Sequence, residues 1–553
     1  MASGRAVWRV DVQDKVDSIN VARPRGLGYR RASGGFPASQ LLVLSGVLLL
    51  AISIPIWTYP LPPLSDYINH LARMHVIAHG ASDPTLAQYY QIEWTILPNL
   101  MMDLVVPVLG RFARIYLAGQ IFTVTSFVLI ISGSMALGRT LFGRWTPVPL
   151  LAIPLLYNYV FLVGVMNYIF GIGLALWALA AWIRLKEHPI LRLPVATAFV
   201  VAMFFCHLFS VGIYGIGLLA YELWRLYVMR REPWQPRLLA FFAAGMPFLP
   251  VIPLLLASPT RHLASEISWE PRGKIDGLMY AIELYSDIVA LGIAATLAAG
   301  ATWAARRGLL RVHPMAWVML VAGTIIYLAL PRIMFATYMT DQRLPIALVF
   351  MLFGCIDMSL QHRLVRRAFI AVVFTLVIVR VIEVNVSWAN LSTTTSEFRG
   401  SVKRIKPGSK VLVAYGHASG GDDVSDLGLV HAACLAIIER SALVTTAFTV
   451  IGKQILHVKP EFRHLVDTQD GTPPTIERLL LAAAENAPEP NEASQSETEE
   501  ESYWQDWNTK FDYLYVLFTD DDTENPAPEH LTLVQNASRF QLYRIKRPTA
   551  APG

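Results

Sequence analysis

Ionisable side chains gather directly after the first long apolar run of this 553-residue chain. Asp66, His70 and Arg73 are spaced so that a helix would carry all three on one face. A carboxylate in this place suits a general base that takes the proton of a hydroxyl group. Partial burial near a membrane would raise its basicity, because desolvation disfavours the charged form. Asp66 is therefore a candidate catalytic carboxylate, His70 could assist it or bind an acceptor, and Arg73 could hold a phosphate.

Each of these residues also has a structural interpretation. Ser65 or Asp66 could cap the helix by accepting backbone N–H bonds. His70 and Arg73 could belong to a solvated charged face. The spacing of Asp66 and His70 would also suit a divalent cation such as Mg²⁺ or Mn²⁺, but the sequence offers no third ligand. We therefore assign no metal ligands and predict no definite cofactor.

A second carboxylate follows in the same loop. Asp103 lies in the apolar segment 98–109, which is too short to span a bilayer and predicts an interfacial or re-entrant helix. A carboxylate in such surroundings is costly. It is either a second catalytic carboxylate or the ion-pair partner of Arg73. Glu93, earlier in this loop, is a weaker substrate-binding candidate.

A cation suited to a phosphate begins a later apolar run. Arg343 offers bidentate geometry to a phosphate, and Asp341 is placed to orient it. The alternative is an interfacial anchor whose guanidinium snorkels to water. His207, at the end of another run, is either a substrate ligand or a packing residue.

Sugar-binding candidates lie in the loop 258–277 and at a predicted hairpin tip. Glu266 and Trp269 could line a sugar site, since aromatic faces stack on sugars. The runs 146–160 and 164–183 predict a bent hairpin with Asn167 near its tip.

The elements that position these residues are predicted membrane spans. The chain is 54% hydrophobic and 16% charged, where soluble chains are about a quarter charged. We predict about eleven spans, since apolar runs of suitable length recur. The runs are 40–59, 115–137, 146–160, 164–183, 193–208, 210–228, 238–257, 284–305, 314–331, 344–359 and 366–384.

Loop charges predict the orientation. With the basic arm 1–38 inside, every strongly basic short loop falls on the same, cytoplasmic side. The loop 60–112, the loops 258–277 and 332–343, and everything after 385 then lie outside. This predicts a multi-pass bacterial inner-membrane protein with a periplasmic C-terminal domain. The net charge of +5 comes from these loops and the arm, so nucleic acid is not a predicted partner.

Composition changes after residue 385, and we predict three parts: the arm 1–38, a membrane domain 39–385 and an α/β domain 386–553. Buried strands are predicted at 408–415 and 511–518, with helical spacing between them at 427–443. An edge strand is predicted at 540–545. The acidic segment 485–505 predicts a disordered insertion.

This layout resembles the GT-C class of integral-membrane glycosyltransferases, which use polyprenyl-phosphate sugars. The resemblance covers residues 39–385 by architecture, with a local match at Asp66-x-x-Asn69-His70-Leu-Ala-Arg73 and Pro98-Asn99-x-x-x-Asp103. It also resembles a set of bacterial membrane proteins that carry both motifs in the first outer loop. The single Asp66, where GT-C enzymes often have paired carboxylates, leaves metal use open.

The resemblance implies transfer of a sugar from a polyprenyl-phosphate donor to a glycan, lipid or protein acceptor of the envelope, with Asp66 as base. Membrane lipids are further expected partners. A transporter or flippase is an alternative, but it predicts charges at span midpoints and matching half-repeats. A non-catalytic subunit of an envelope complex is another, and it predicts that Asp66→Asn is silent.

Overall fold

The structure is a computed structural model that describes residues 37–263, 267–469, 471–483, 503–520 and 524–547. Nearly all of the predicted basic arm, Glu266 and most of the predicted acidic insertion lie outside the described residues. Helices α1 to α21 of the described part are Ala38–Ile52, Ile54–Thr58, Tyr67–His79, Pro84–Tyr89, Met101–Gly110, Ile115–Phe142, Tyr159–Leu162, Met166–Arg184, Pro189–Cys206, Leu208–Val228, Trp234–Ala243, Val251–Ala257, Gly273–Met279, Asp287–Arg306, Met315–Ala329, Leu344–Gly354, Arg363–Val402, Leu427–Val430, Leu435–Arg440, Ile476–Ala483 and Trp507–Lys510.

Six described helical segments are long and apolar enough to cross a membrane: Ile115–Phe142, Met166–Arg184, Pro189–Cys206, Trp234–Ala257, Asp287–Arg306 and Arg363–Val402. Shorter apolar helices add to them, among them α1, α5, α15 and α16. The prediction of a polytopic helical membrane protein with a C-terminal sheet domain is confirmed.

One predicted span takes a different form. The run 146–160 contains a 3₁₀ helix, Val148–Leu156, followed by the single helical turn of α7. Pro149 and Pro154 account for this, because proline lacks the N–H that a continuous α-helix needs and its ring clashes with the preceding turn. The segment packs inside the bundle and turns back at Gly164 into α8.

The last predicted span, 366–384, is part of a much longer helix. Helix α17 runs for 40 residues and continues through the predicted domain boundary into the C-terminal domain. The polar stretch beyond 385 has little apolar periodicity, but tertiary packing holds it helical. Trp388 and Phe398 are fully buried, and Phe398 stacks on Tyr515 of the sheet with ring centroids 4.5 Å apart.

A buried ion pair anchors this helix within the bundle. Arg380 pairs with Glu383 at 2.7 Å and donates to the carbonyls of Pro154 and Ile282. Glu383 in turn accepts from the backbone N–H of Ser286. The backbone partners all belong to neighbouring segments of the chain, so the pair holds the last span against its neighbours.

The strands of the described residues, β1 to β11, are Tyr90–Ile92, Ile267–Ser268, Leu310–Val312, Ile333–Met334, Ile356–Met358, Lys410–Tyr415, Leu443–Val444, Leu456–Val458, Tyr513–Leu517, Leu531–Asn536 and Phe540–Ile545. Five of them form the sheet of the C-terminal domain in the order β10-β11-β9-β6-β7. Strand β6 is parallel to both neighbours, and β9, β11 and β10 are antiparallel in turn. The predicted strands form, but the strand at 540–545, β11, lies between β10 and β9 and not at an edge of the sheet. The predicted helix 427–443 is divided into the short helices α18 and α19 with a 3₁₀ turn between them.

The C-terminal domain and the first long loop are joined by strand pairing and by hydrogen bonds. Strand β1 of the loop pairs with β8 of the domain, with Tyr90 opposite Val458. The Tyr90 hydroxyl donates to the carbonyl of Ala442 and accepts from the N–H of Val444. This contact places the domain directly over the helix that begins after Asp66.

Candidate active site

Backbone contacts hold Asp66 against α7 and the turn that follows it, residues 159–164, here called the re-entrant tip. The N–H groups of Ser65 and Asp66 donate to the carbonyls of Leu162 and Val163, at 2.9 and 3.1 Å. Gly164 makes room for this approach, because its φ is +87° and a Cβ there would lie 2.9 Å from the Asp66 nitrogen. Only glycine fits such a position without strain. The tip therefore fixes the start of helix α3.

Asp66 occupies the N-cap position of α3 but its side chain makes no capping hydrogen bond. The structure thus gives no support to the capping interpretation of this carboxylate. The side chain is a quarter exposed, and its Oδ1 lies 3.8 Å from Nε2 of His431. His431 belongs to the C-terminal domain, so the site has contributions from both parts of the chain.

Asn69 fixes the orientation of His431. Its Nδ2 donates to the carbonyl of Thr446 at 2.8 Å, and its Oδ1 accepts from the N–H of Phe448 at 2.9 Å. These two backbone partners determine which way the amide points. The same Nδ2 lies 3.2 Å from Nδ1 of His431. That nitrogen is therefore an acceptor, and the ring proton is assigned to Nε2, which faces Asp66.

The two imidazoles beside Asp66 are neutral at neutral pH. Burial lowers the pKa of His431 to about 4. Burial also holds the pKa of His70 well below its usual value, with further contributions from the charge of Arg73 and from His431. The ring of His70 packs against Phe448 with centroids 5.5 Å apart.

Arg73 and Asp103 form a bidentate ion pair. Nε donates to Oδ1 at 2.6 Å and Nη2 donates to Oδ2 at 3.0 Å. The two side chains are 1% and 0% exposed. Of the two interpretations of Asp103, this geometry favours the ion pair, which joins α3 to the short helix α5. A catalytic role for Asp103 or a phosphate-binding role for Arg73 stays a prediction.

Arg343 is the buried guanidinium of the site. Nη2 donates to the carbonyl of Tyr338 at 2.8 Å, and the Tyr168 hydroxyl donates to the Arg343 carbonyl at 2.6 Å. In the described part of the chain no carboxylate lies within the 4.0 Å of a salt bridge to Arg343, and its buried Nε has no hydrogen-bond partner. Asp66 is close enough to favour its positive charge.

His207 brings a second donor to Arg343. Its Nδ1 accepts from the backbone N–H of Phe209, so the neutral ring carries its proton on Nε2. That Nε2 lies 3.5 Å from Nη1 of Arg343. Two N–H groups facing each other at this distance do not satisfy one another. Both can donate to a shared acceptor, and an anion fits that arrangement.

Asp341 does not orient Arg343 as predicted. Its two oxygens pair with Lys274 at 2.7 Å and Arg332 at 3.1 Å. Arg332 also lies 3.4 Å from Glu270, and its guanidinium fills the space above Gly273. This network joins the loops 267–277 and 332–343, whose strands β2 and β4 are paired.

The remaining predicted residues lie around this centre. Asn167 donates to Asn99, a residue with φ of +104°, and accepts from the N–H of Met102, so it holds the entry to α5. Glu93 accepts from Gln91 near the β1–β8 pair. Trp269 is more than half exposed, and Glu266 lies outside the described residues.

Two tyrosines that sequence reasoning missed line the same end of the bundle. Tyr159 at the re-entrant tip stacks on Tyr280 with ring centroids 4.1 Å apart. Aromatic residues near turns are common in membrane proteins, so the sequence carried no specific signal for them. No group of three or more His, Cys, Asp or Glu side chains among the described residues is placed to hold a metal ion, and metal use stays open.

Comparison with known proteins identifies the fold. No family profile and no curated protein matches this chain. The structure is similar to the crystal structure of ArnT from Cupriavidus metallidurans bound to undecaprenyl phosphate, with a TM-score of 0.53 and 12% identity over 94% of this chain and 100% of that one. The apo structure of the same ArnT gives a TM-score of 0.51 at 12% identity, over 92% of this chain and 98% of that one. The chain has the ArnT-like GT-C fold, as the sequence resemblance predicted.

Proposed function

We propose that this chain, which has the fold of ArnT, is a membrane glycosyltransferase that moves a sugar from a polyprenyl-phosphate carrier to an acceptor hydroxyl. The acceptor is a glycan, lipid or protein of the envelope. The observation that carries the proposal is the pair of converging donors on Arg343 and His207, within electrostatic reach of the Asp66 carboxylate.

The donors of Arg343 and His207 suit a bound phosphate better than they suit each other. Arg343 is buried, one of its N–H groups is unsatisfied, and the donor facing it on His207 cannot pair with it. An unsatisfied buried donor costs about 1–3 kcal/mol, which a bound anion would recover. ArnT in the similar structure is bound to undecaprenyl phosphate, and a polyprenyl phosphate supplies such an anion together with a lipid tail for the bundle.

The chemistry follows from the carboxylate next to this cation. Asp66 takes the proton of the acceptor hydroxyl while the oxygen attacks the anomeric carbon of the sugar. The bond between that carbon and the phosphate oxygen breaks, and its electron pair stays on the phosphate. Arg343 and His207 donate to the phosphate as its charge grows, which stabilises the transition state. The products are the glycosylated acceptor and the polyprenyl phosphate.

We place this site on the periplasmic face. Helix α6 begins beside Asp66, since a Cβ on Gly119 would lie 2.5 Å from the Tyr67 hydroxyl. At its other end, about 40 Å away for 28 residues, Phe142 lies under the guanidinium of Arg311. Arg139 and Arg311 therefore lie at the end of α6 opposite to Asp66, and basic loops favour the cytoplasm.

Binding of undecaprenyl phosphate tests the anion site. Arg343→Gln in nanodiscs should weaken binding at least tenfold, because a charge-assisted hydrogen bond is worth about 1.5–3 kcal/mol. Arg261→Gln is the matched control, since Arg261 is an exposed arginine at the same end. Undecaprenol, which lacks the phosphate, should not distinguish wild type from Arg343→Gln. Equal affinity of Arg343→Gln and wild type for undecaprenyl phosphate would overturn the assignment.

Sugar transfer tests the base. Membranes that contain the chain and labelled polyprenyl-phosphate sugars should transfer label to an envelope acceptor. Asp66→Asn should reduce the rate at least about 100-fold, the usual contribution of general base catalysis, with binding of undecaprenyl phosphate retained. Undiminished transfer by Asp66→Asn would exclude Asp66 as the base.

A further inference from the structure

The C-terminal domain brings one side chain to the reacting carboxylate. We propose that His431 is a positioning residue that directs the Asp66 carboxylate by presenting its Nε2–H to it, so that docking of the C-terminal domain completes the active site. This inference rests on the proposed function, in which Asp66 is the base. No sequence motif marks His431, which lies 365 positions after Asp66 in the chain.

The docking contact is specific and buried. Asn69 is 1% exposed and contacts the domain at three points, namely the backbone of Thr446, the backbone of Phe448 and the ring of His431. A carboxamide that bridges two backbone groups holds its own orientation and, through Nδ2, that of the imidazole. The next helical residue, His70, packs on Phe448 from the same side. Asn69 and His70, in the helical turn that follows Asp66, therefore fix the position of the C-terminal domain and the orientation of His431.

The direction of the imidazole proton follows from these contacts. Because Nδ1 of His431 accepts from Asn69, Nε2 is the protonated nitrogen, and it lies 3.8 Å from Oδ1 of Asp66. This distance is longer than a hydrogen bond. A rotation of the Asp66 side chain, about 1 Å at the oxygen, closes it, and catalytic contacts in free enzymes are often long in this way.

The charges around His431 agree with a neutral donor. From helix α3 the titratable groups Asp66 and His70 face its ring, and the charge of Arg73 acts on His70. From its own domain Phe448 packs edge-on against it at 4.8 Å, and the buried Cys434 follows in the chain. Burial keeps the ring neutral, so it donates without adding a charge that would weaken the base.

The test reads the carboxylate directly and does not need transfer activity. The full chain in nanodiscs is labelled with a carbodiimide across a pH series, and modification of Asp66 is followed by mass spectrometry. His431→Phe removes the donor and should move the labelling midpoint up by about 0.5–1 pH unit, because a donor favours the charged carboxylate. His431→Gln, whose amide can donate from a similar position, should move it less. His79→Gln, at the far end of α3, is the control and should not move it.

Transfer then tests the catalytic consequence. The acidic limb of the rate against pH should move in the same direction and by the same amount in His431→Phe, with binding of undecaprenyl phosphate unchanged. An unmoved labelling midpoint in a monodisperse His431→Phe protein would overturn the proposal. A moved midpoint in a chain whose wild type transfers no sugar would instead overturn the proposed function and the catalytic role, and leave the contact as a structural one.

Discussion

Removal of Asp103 tests whether the buried pair with Arg73 is structural or catalytic. Asp103→Ala leaves the Arg73 guanidinium buried with no carboxylate, and its Nη1 already has no hydrogen-bond partner among the described residues. Breaking a buried ion pair from one side costs about 3–5 kcal/mol. A Coulomb energy of about 4 kcal/mol for unit charges 4 Å apart at an effective dielectric constant of 20 agrees with this range.

The double variant Arg73→Met with Asp103→Leu separates the two interpretations. Both charges are removed together and the volume is roughly kept, so stability should return to within about 1–2 kcal/mol of wild type. If the pair is structural, binding of undecaprenyl phosphate and sugar transfer should return with it. Non-additivity of the two single changes would measure the coupling of the pair.

Thermal unfolding in detergent provides the assay. At about 1 °C per kcal/mol for a chain of 553 residues, Asp103→Ala should melt about 3–5 °C below wild type. The control is Arg399→Gln, which breaks the pair with Glu439 where Arg399 is 41% exposed, and it should cost less than about 1 kcal/mol. A double variant that melts like wild type but transfers no sugar would refute the structural interpretation and return Asp103 or Arg73 to the catalytic set.

Three further predictions concern the elements around Asp66. Stability should fall as pH is lowered from 6.5 towards 4, because the pKa of His431 is about 4 in the folded chain and the unfolded chain therefore binds a proton first. The melting temperature of His431→Phe should depend less on pH in this window. Asn69→Ala should cost about 2–4 kcal/mol and make the C-terminal domain more sensitive to limited proteolysis, whereas Asn385→Ala, on the partly exposed side of α17, should not. Gly164→Ala should reduce transfer at least tenfold, because its Cβ meets the Asp66 backbone, and Gly212→Ala, which has open space, should leave transfer unchanged.

The membrane fold was accessible from the sequence because apolar runs and loop charges are local signals. Most of the predicted runs correspond to apolar helices between α1 and α17, and the run 146–160, which forms a 3₁₀ helix instead, is explained by its prolines. Arg343 was predicted as a cation at the end of a span because its guanidinium suits a phosphate. Local signals do not show which ion pair each charged side chain forms. Asp341 stands two residues from Arg343, yet it pairs with Lys274 and Arg332.

The contribution of the C-terminal domain to the candidate site could not be predicted from the sequence. Asn69 contacts residues more than 360 positions away, and no pattern in a single sequence reveals such a contact. His431 lies in a stretch of helical spacing that predicts packing only. The buried pair of Arg380 and Glu383 was hidden in the same way, since its remaining partners are backbone carbonyls and an N–H of distant loops.

The uninterrupted helix α17 fixes the rotation of the C-terminal domain relative to the membrane bundle. Each residue of an α-helix advances 100° and 1.5 Å. A single residue inserted near 390 would therefore turn the remainder of α17, and the sheet packed on it through Phe398, by 100° relative to the bundle. Four inserted residues would leave only 40° of rotation but a 6 Å rise. Length changes in this helix are thus expected to break the register between the domain and Asn69.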